Sequence, residues 1–140
     1  MRLISTLVVT NAVSAVVAAA LPFAIVNAQL RISGRSFAPV EVAVAAAGTL
    51  AVVTAVVLIR AGLRRVHLMS YALAGTGLLQ MGLGTFLVVA LLLPPPYEWA
   101  MGVALLNLLV SWMTAFLASC VAVGAVIESA STRARTGHAQ

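Results

Sequence analysis

Three of the chain's carboxamide side chains, Asn11, Gln80 and Asn107, stand well inside apolar sequence. They are the groups with which this chain could do chemistry in an apolar medium. An amide donates and accepts hydrogen bonds without carrying charge. At 1.5 Å rise per helical residue, Asn11 lies roughly 12 Å from the inner end of its helix and Gln80 roughly 18 Å from the inner end of its own. Asn107 lies roughly 12 Å from the outer end of its helix. All three fall in the central part of a bilayer, with Thr76 and Thr114 near the same depth. The expectation is that the amides face the interior of a helix bundle, with Asn11, Gln80, Asn107 and Thr114 as a midplane polar cluster. One reading is structural: interhelical hydrogen bonds averaging ~0.6 kcal/mol, and up to ~1.7, would fix helix register. The other is functional, a neutral polar pocket or pore lining.

Ionisable chemistry is sparse. Proton relays, ion-coupled carriers and voltage sensors place charge within the membrane despite a cost of at least ~2.5 kcal/mol by insertion scales. The apolar blocks Leu3–Leu30, Val42–Ile59, Leu68–Leu93 and Trp99–Ile127 contain no Asp, Glu, Lys or Arg. Glu41 opens the second block at the outer surface and Glu128 closes the fourth at the inner surface, so both read as interfacial residues. A small multidrug exporter is expected to carry a glutamate well inside its first helix, and this chain departs from that pattern. His67 begins the third block beside Arg64 and Arg65. One histidine is too few for a haem or metal unless a second copy or a partner completes the set. His138 belongs to the tail. Cys120 is the only cysteine, which excludes an intrachain disulfide and a multi-cysteine metal site. There is no Ser/His/Asp set, no carboxylate pair and no phosphate-cradling glycine loop. The sequence therefore predicts no catalytic, cofactor-binding or metal-binding residue and no cofactor.

The elements that position these residues follow from the blocks themselves. About 20 helical residues cross a hydrocarbon core of roughly 30 Å, and within lipid a helix satisfies its own backbone polar groups. The expected fold is all-α, a polytopic integral membrane protein built as a four-transmembrane-helix bundle. One domain, residues 1–127, holds helices over about 3–30, 40–60, 67–93 and 98–127, followed by a short polar cytoplasmic tail, 128–140.

Helical periodicity assigns faces. On the fourth helix Asn107, Ser111, Thr114, Ala118, Ala122 and Ala125 share one side, while Leu105, Leu109, Trp112, Phe116, Val123 and Ile127 share the other. Small and weakly polar residues suit helix contact, and bulky apolar ones suit lipid. The second helix repeats the pattern with Ala43, Ala47, Ala51 and Ala55, and the first with Asn11, Ser14, Ala15, Ala18, Pro22 and Gln29. Pro22 is expected to kink or loosen the first helix. The third helix carries two smooth faces, Gly75 with Gly82 and Gly77 with Gly84. Both could pack within the bundle, or one could dock a second protomer or partner subunit.

Charge sets the orientation. All eight basic residues are arginines. Arg2, Arg60, Arg64, Arg65, Arg133 and Arg135 belong to one side, and only Arg31 and Arg35 to the other. Six against two places both termini and the second loop in the cytoplasm. The third loop agrees, since Pro94, Pro95 and Pro96 stop the helix and Tyr97 and Trp99 suit the outer headgroup layer. Arg60, Arg64 and Arg65 can contact anionic lipid or an acidic partner at roughly 1 kcal/mol each, or simply anchor the topology. The net charge of +5 does not point to nucleic acid, because insertion of the helices leaves no basic surface for it. Arg2, the apolar stretch and Val26-Asn27-Ala28 before Gln29 resemble a cleavable export signal. That stretch exceeds the 7–15 residues of a signal core, and Arg31 and Arg35 oppose export, so the first helix is expected to be retained.

Arginine without lysine and the alanine–valine richness suggest a GC-rich bacterial genome, hence a multi-pass protein of the bacterial cytoplasmic membrane. The functional expectation is a small accessory or assembly subunit, or a scaffold, of a larger membrane complex, with no catalytic site of its own. Its partners would be the lipid bilayer and other membrane subunits or itself. The alternative is a small oligomeric channel or carrier for a neutral or weakly polar solute. A third reading, a redox subunit completing a haem or quinone site through His67, requires a partner.

Overall fold

A computed structural model describes the backbone of residues 2–29, 38–91 and 98–137, and the side chains of 2–21, 41–89 and 102–137. Four helices account for nearly all of it: α1 Arg2–Gln29, α2 Ala38–Ala61, α3 His67–Leu91 and α4 Glu98–Gly137. Each contains a segment long and apolar enough to cross a membrane, the signature of a multi-pass membrane protein. Consecutive helices pack side by side and α4 closes back on α1, so the bundle is a four-membered ring in which α2 and α4 meet only sparingly across the middle.

The turn between α2 and α3 shows why the chain reverses there. Gly62 adopts φ +68°, a left-handed conformation that costs glycine little and ends a helix. Its N–H donates to the carbonyl of Ile59 at 3.2 Å. Leu63 is extended, and a single 3₁₀ turn, Arg64–Val66, leads directly into α3. Val66 is buried, and a Cβ on Gly124 would come within 2.6 Å of its Cγ1. The absence of a side chain at Gly124 is what lets the turn seat against α4.

Burial follows the small-residue stripes. One cluster joins Val8 and Ala15 of α1, Ala51, Ala55 and Leu58 of α2, Leu73 of α3, and Ala118 and Val121 of α4. A second joins Ala18 of α1 to Val44 and Ala47 of α2. The residues assigned to lipid on α4 point outward, from Ile127 at 50% exposed to Phe116 at 70%. Where the bundle's surface would meet water in a soluble protein it is apolar instead, with Val16, Val53, Leu79 and Leu109 all exposed.

The α2–α3 seam is tightest. A Cβ on Gly48 would stand 2.8 Å from the Gly77 carbonyl oxygen, and one on Gly77 would stand 2.9 Å from that of Gly48. A Cβ on Gly84 would meet Ala45 at 3.0 Å. Backbones approach this closely only where side chains are missing. Gly75 and Gly82, on the other side of α3, have open space. The two glycine faces therefore have different roles in the chain: one is packed against α2, and the other is exposed.

α4 continues past Ile127. Its 40 residues span about 60 Å at 1.5 Å per residue, twice the thickness of a bilayer core. The segment 128–137 is thus a helical extension in which Arg133 and Arg135 are exposed. Within it the hydroxyls of Ser131 and Thr132 donate to the Glu128 carbonyl, and that of Thr136 to the carbonyls of Thr132 and Arg133. The side chains of Pro22 and Gln29, the loop arginines Arg31 and Arg35, Pro94–Tyr97, the Trp99 side chain and His138 lie outside the described residues.

Candidate functional site

Asn11, Gln80 and Asn107 are all interior, at 0%, 0% and 3% exposure, and Thr114 is fully buried with them. α1 brings Asn11 inward because it continues the stripe of Val8 and Ala15. α3 brings Gln80 inward one turn beyond Gly77, and α4 brings Asn107 inward at the head of the Ser111–Thr114–Ala118 stripe. No hydrogen bond joins one amide to another among the described residues. Each meets a different environment.

Gln80 Nε2 donates to the backbone carbonyl of Val44 at 2.8 Å. That carbonyl already serves the α2 ladder, so the bond uses its second lone pair and ties α3 to α2 beside the Gly48–Gly77 contact. Asn107 Nδ2 donates at 2.8 Å to Glu41 Oε2, which links α4 to α2 across the ring where the two helices otherwise scarcely touch. Asn11 has neither amide atom paired; Gln80 Oε1 and Asn107 Oδ1 also lack hydrogen-bond partners. With α2 as a ruler, Glu41 marks the Asn107 level and Val44 the Gln80 level, while Asn11 stands between Val8 and Ala15, which share a cluster with Ala51 and Ala55. From residue 41 to residue 54 the axial spread is about 20 Å. The polar residues form a ladder along the bundle axis rather than one cluster.

The hydroxyls on this ladder are spent locally. Thr54 donates to Leu50 O at 2.8 Å, Ser70 to Val66 O at 2.7 Å, Ser111 to Asn107 O at 2.8 Å and Thr114 to Val110 O at 2.9 Å. Thr76 donates to Leu73 O at 3.2 Å. A hydroxyl bonded to the preceding turn of its own helix is neutralised as a donor, so Thr76 and Thr114 offer only acceptor lone pairs to anything else.

Glu41 opens the second candidate span in the first turn of α2, as the sequence suggests, but the sequence does not reveal its partner. It is partly buried and bonded to Asn107, which lies eight residues, about 12 Å, inward of Trp99 along α4. The first residues of α2 are therefore level with the third turn of α4, not with its outer end. A signal was present in the sequence. Glu41, Val44, Gly48, Ala51, Ala55 and Leu58 recur at three- and four-residue spacing, one helical face, and every member after Glu41 is buried. Glu41 continues the buried stripe of α2.

The remaining candidates sit at the opposite end. Arg60, Arg64 and Arg65 are exposed, at the same end as Arg2 and the α4 extension. His67 is exposed, with its ring edge-on to Tyr71 at 5.0 Å between centroids and 86° between planes. No group of three His, Cys, Asp or Glu side chains suited to a metal ion occurs among the described residues. Cys120 is a free thiol, partly buried in α4. Comparison with family models, with curated proteins and with solved structures gives no match for this chain.

Proposed function

We propose that this chain is a membrane-embedded accessory or assembly subunit, or scaffold, of a larger complex in a bacterial cytoplasmic membrane, with both termini in the cytoplasm. The observation that carries the reading is the closed interior. Asn11, Thr54, Gln80, Ser111 and Thr114 are all at 0–1% exposure, and alanines or glycines fill the seams around them. A bundle packed this way holds its shape and presents surfaces instead of enclosing a wide passage. Two surfaces remain for a partner: the open Gly75–Gly82 face of α3 within the membrane, and the arginine-bearing end of α4 beyond it. The test is purification of the full chain in mild detergent, with mass spectrometry of whatever accompanies it. A reproducible set of large membrane subunits is expected. A clean homo-oligomer that conducts or exchanges solute in vesicles would overturn the reading.

A second reading, a small oligomeric channel or carrier for a neutral or weakly polar solute, is favoured by one observation. The unpaired atoms of Asn11, Gln80 and Asn107 leave hydrogen-bonding capacity at three levels of the bundle axis. Solute flux that is lost in Gln80→Leu, in a variant that still folds, would establish it.

A further inference from the structure

A carboxylate among apolar helices requires a positive charge, a proton or strong hydrogen bonds. Glu41 receives one neutral amide donor, Asn107 Nδ2 at 2.8 Å. The same amide's Oδ1 is buried and without a hydrogen-bond partner. Because the two atoms of a carboxamide are about 2.3 Å apart, this oxygen lies within about 5 Å of the Glu41 carboxylate. The site thus gathers two kinds of oxygen acceptor and, among the described residues, no cationic side chain.

The other ionisable groups among the described residues lie far along the axis. α1 contributes Arg2, α2 Arg60, and the turn and α3 contribute Arg64, Arg65, His67 and Tyr71, all at the opposite end of the bundle. On α4 the first such group after Asn107 is Cys120, thirteen residues or about 20 Å away, followed by Glu128, Arg133 and Arg135. Arg31, Arg35 and the Glu98 side chain lie outside the described residues. Around Asn107 the outward residues are Leu105, Leu106 and Leu109, at 47–64% exposure, so the level of the site is apolar on its outside.

We propose that Glu41 and Asn107 form a binding site for a single small cation, either a proton or a hard alkali ion such as Na⁺, between α2 and α4. Carboxylate and amide oxygens are the donors that hard cations take, and a proton on Glu41 would convert the carboxyl into a donor as well as an acceptor. Binding cancels the charge, and a proton on Glu41 gives the unpaired Asn107 Oδ1 a donor to accept from. The site is independent of whether the chain acts as a subunit or a passage, and requires only that it spans the membrane.

The experiment is carbodiimide labelling of the full chain in vesicles, followed by peptide mass mapping to separate Glu41 from Glu98 and Glu128. Dicyclohexylcarbodiimide adds to a protonated carboxyl in an apolar environment. Labelling of Glu41 should fall at least about tenfold between about pH 5 and about pH 9, as expected for loss of the acid form. If Na⁺ shares the site, replacing choline chloride with sodium chloride at fixed pH should slow labelling further; indifference to Na⁺ assigns the site to the proton alone. Asn107→Leu, and the milder Asn107→Ser, should displace the pH midpoint, and Glu41→Gln should abolish the adduct while keeping an amide able to pair with Asn107. The proposal is overturned if Glu41 is never labelled, or if it is labelled independently of both pH and Na⁺. It is also overturned if a water-soluble carbodiimide labels Glu41 equally fast, or if both Asn107 variants leave the midpoint unmoved.

Discussion

At the scale of single residues, two of the three amides, Asn11 and Gln80, should respond to substitution in opposite senses. Asn11 is fully buried with both amide atoms unpaired, so its desolvation is uncompensated. An apolar residue of similar size removes that cost, and replacement of unpaired polar groups in this way is neutral or stabilising. Asn11→Leu should therefore hold or raise the midpoint of unfolding in detergent. Gln80→Leu removes the bond to the Val44 carbonyl and should cost about 0.6 to 1.7 kcal/mol. Measuring both variants by the same denaturant titration checks the contrast. A destabilised Asn11→Leu would mean that the amide is paired in the bilayer.

The glycines extend the argument by a methyl group. Gly48→Ala and Gly77→Ala each drive a Cβ into the opposing backbone, which cannot move aside as a flexible side chain could. About 1–3 kcal/mol of destabilisation is expected for each, the usual range for overpacking. Gly75→Ala and Gly82→Ala meet nothing within 4 Å and should leave the isolated chain unaffected or slightly firmer, since alanine favours helix over glycine. Equal losses at all four positions would contradict the packing described.

At the scale of elements, α3 and α4 carry the features that bear on partners. Gly75→Leu combined with Gly82→Leu should leave melting of the purified chain unchanged and reduce recovery of any complex that docks on that face. Removing residues 132–140 deletes only exposed parts of the α4 extension and residues beyond it. That truncation should preserve the melting curve and, on the subunit reading, weaken co-purification. An unfolded truncation would show that the extension belongs to the bundle itself.

At the scale of the whole molecule, the arginines separate one end of the bundle from the other. Arg2, Arg60, Arg64, Arg65, Arg133 and Arg135 collect where α1 begins, α2 ends, α3 begins and α4 ends. In a Cys120→Ser background, single cysteines introduced at Gly62 and Thr136 should react only with reagent admitted to the cytoplasm. Cysteines at Ser36 and Pro96 should react from the other side. Opposite sidedness of position 62 and position 136 would break the four-crossing topology.

The sequence by itself determined how many helices there are, roughly where each begins, and which faces turn inward. Alanine, glycine, asparagine and bulky aliphatic residues recur at helical spacing, and each position's environment follows from its neighbours three and four residues away. Asn107, Thr114 and Ala118 on one side of α4, against Leu109 and Phe116 on the other, could be assigned without any partner helix in view. Only the tertiary structure decided the axial offset between helices and hence which side chains meet. Helical periodicity specifies an angle about an axis and says nothing about depth relative to another helix. That offset is set by the Gly48–Gly77 contact, the Val66–Gly124 seat and the short α2–α3 turn. It brings Glu41 to Asn107, and it distributes the amides along the bundle instead of gathering them at one level.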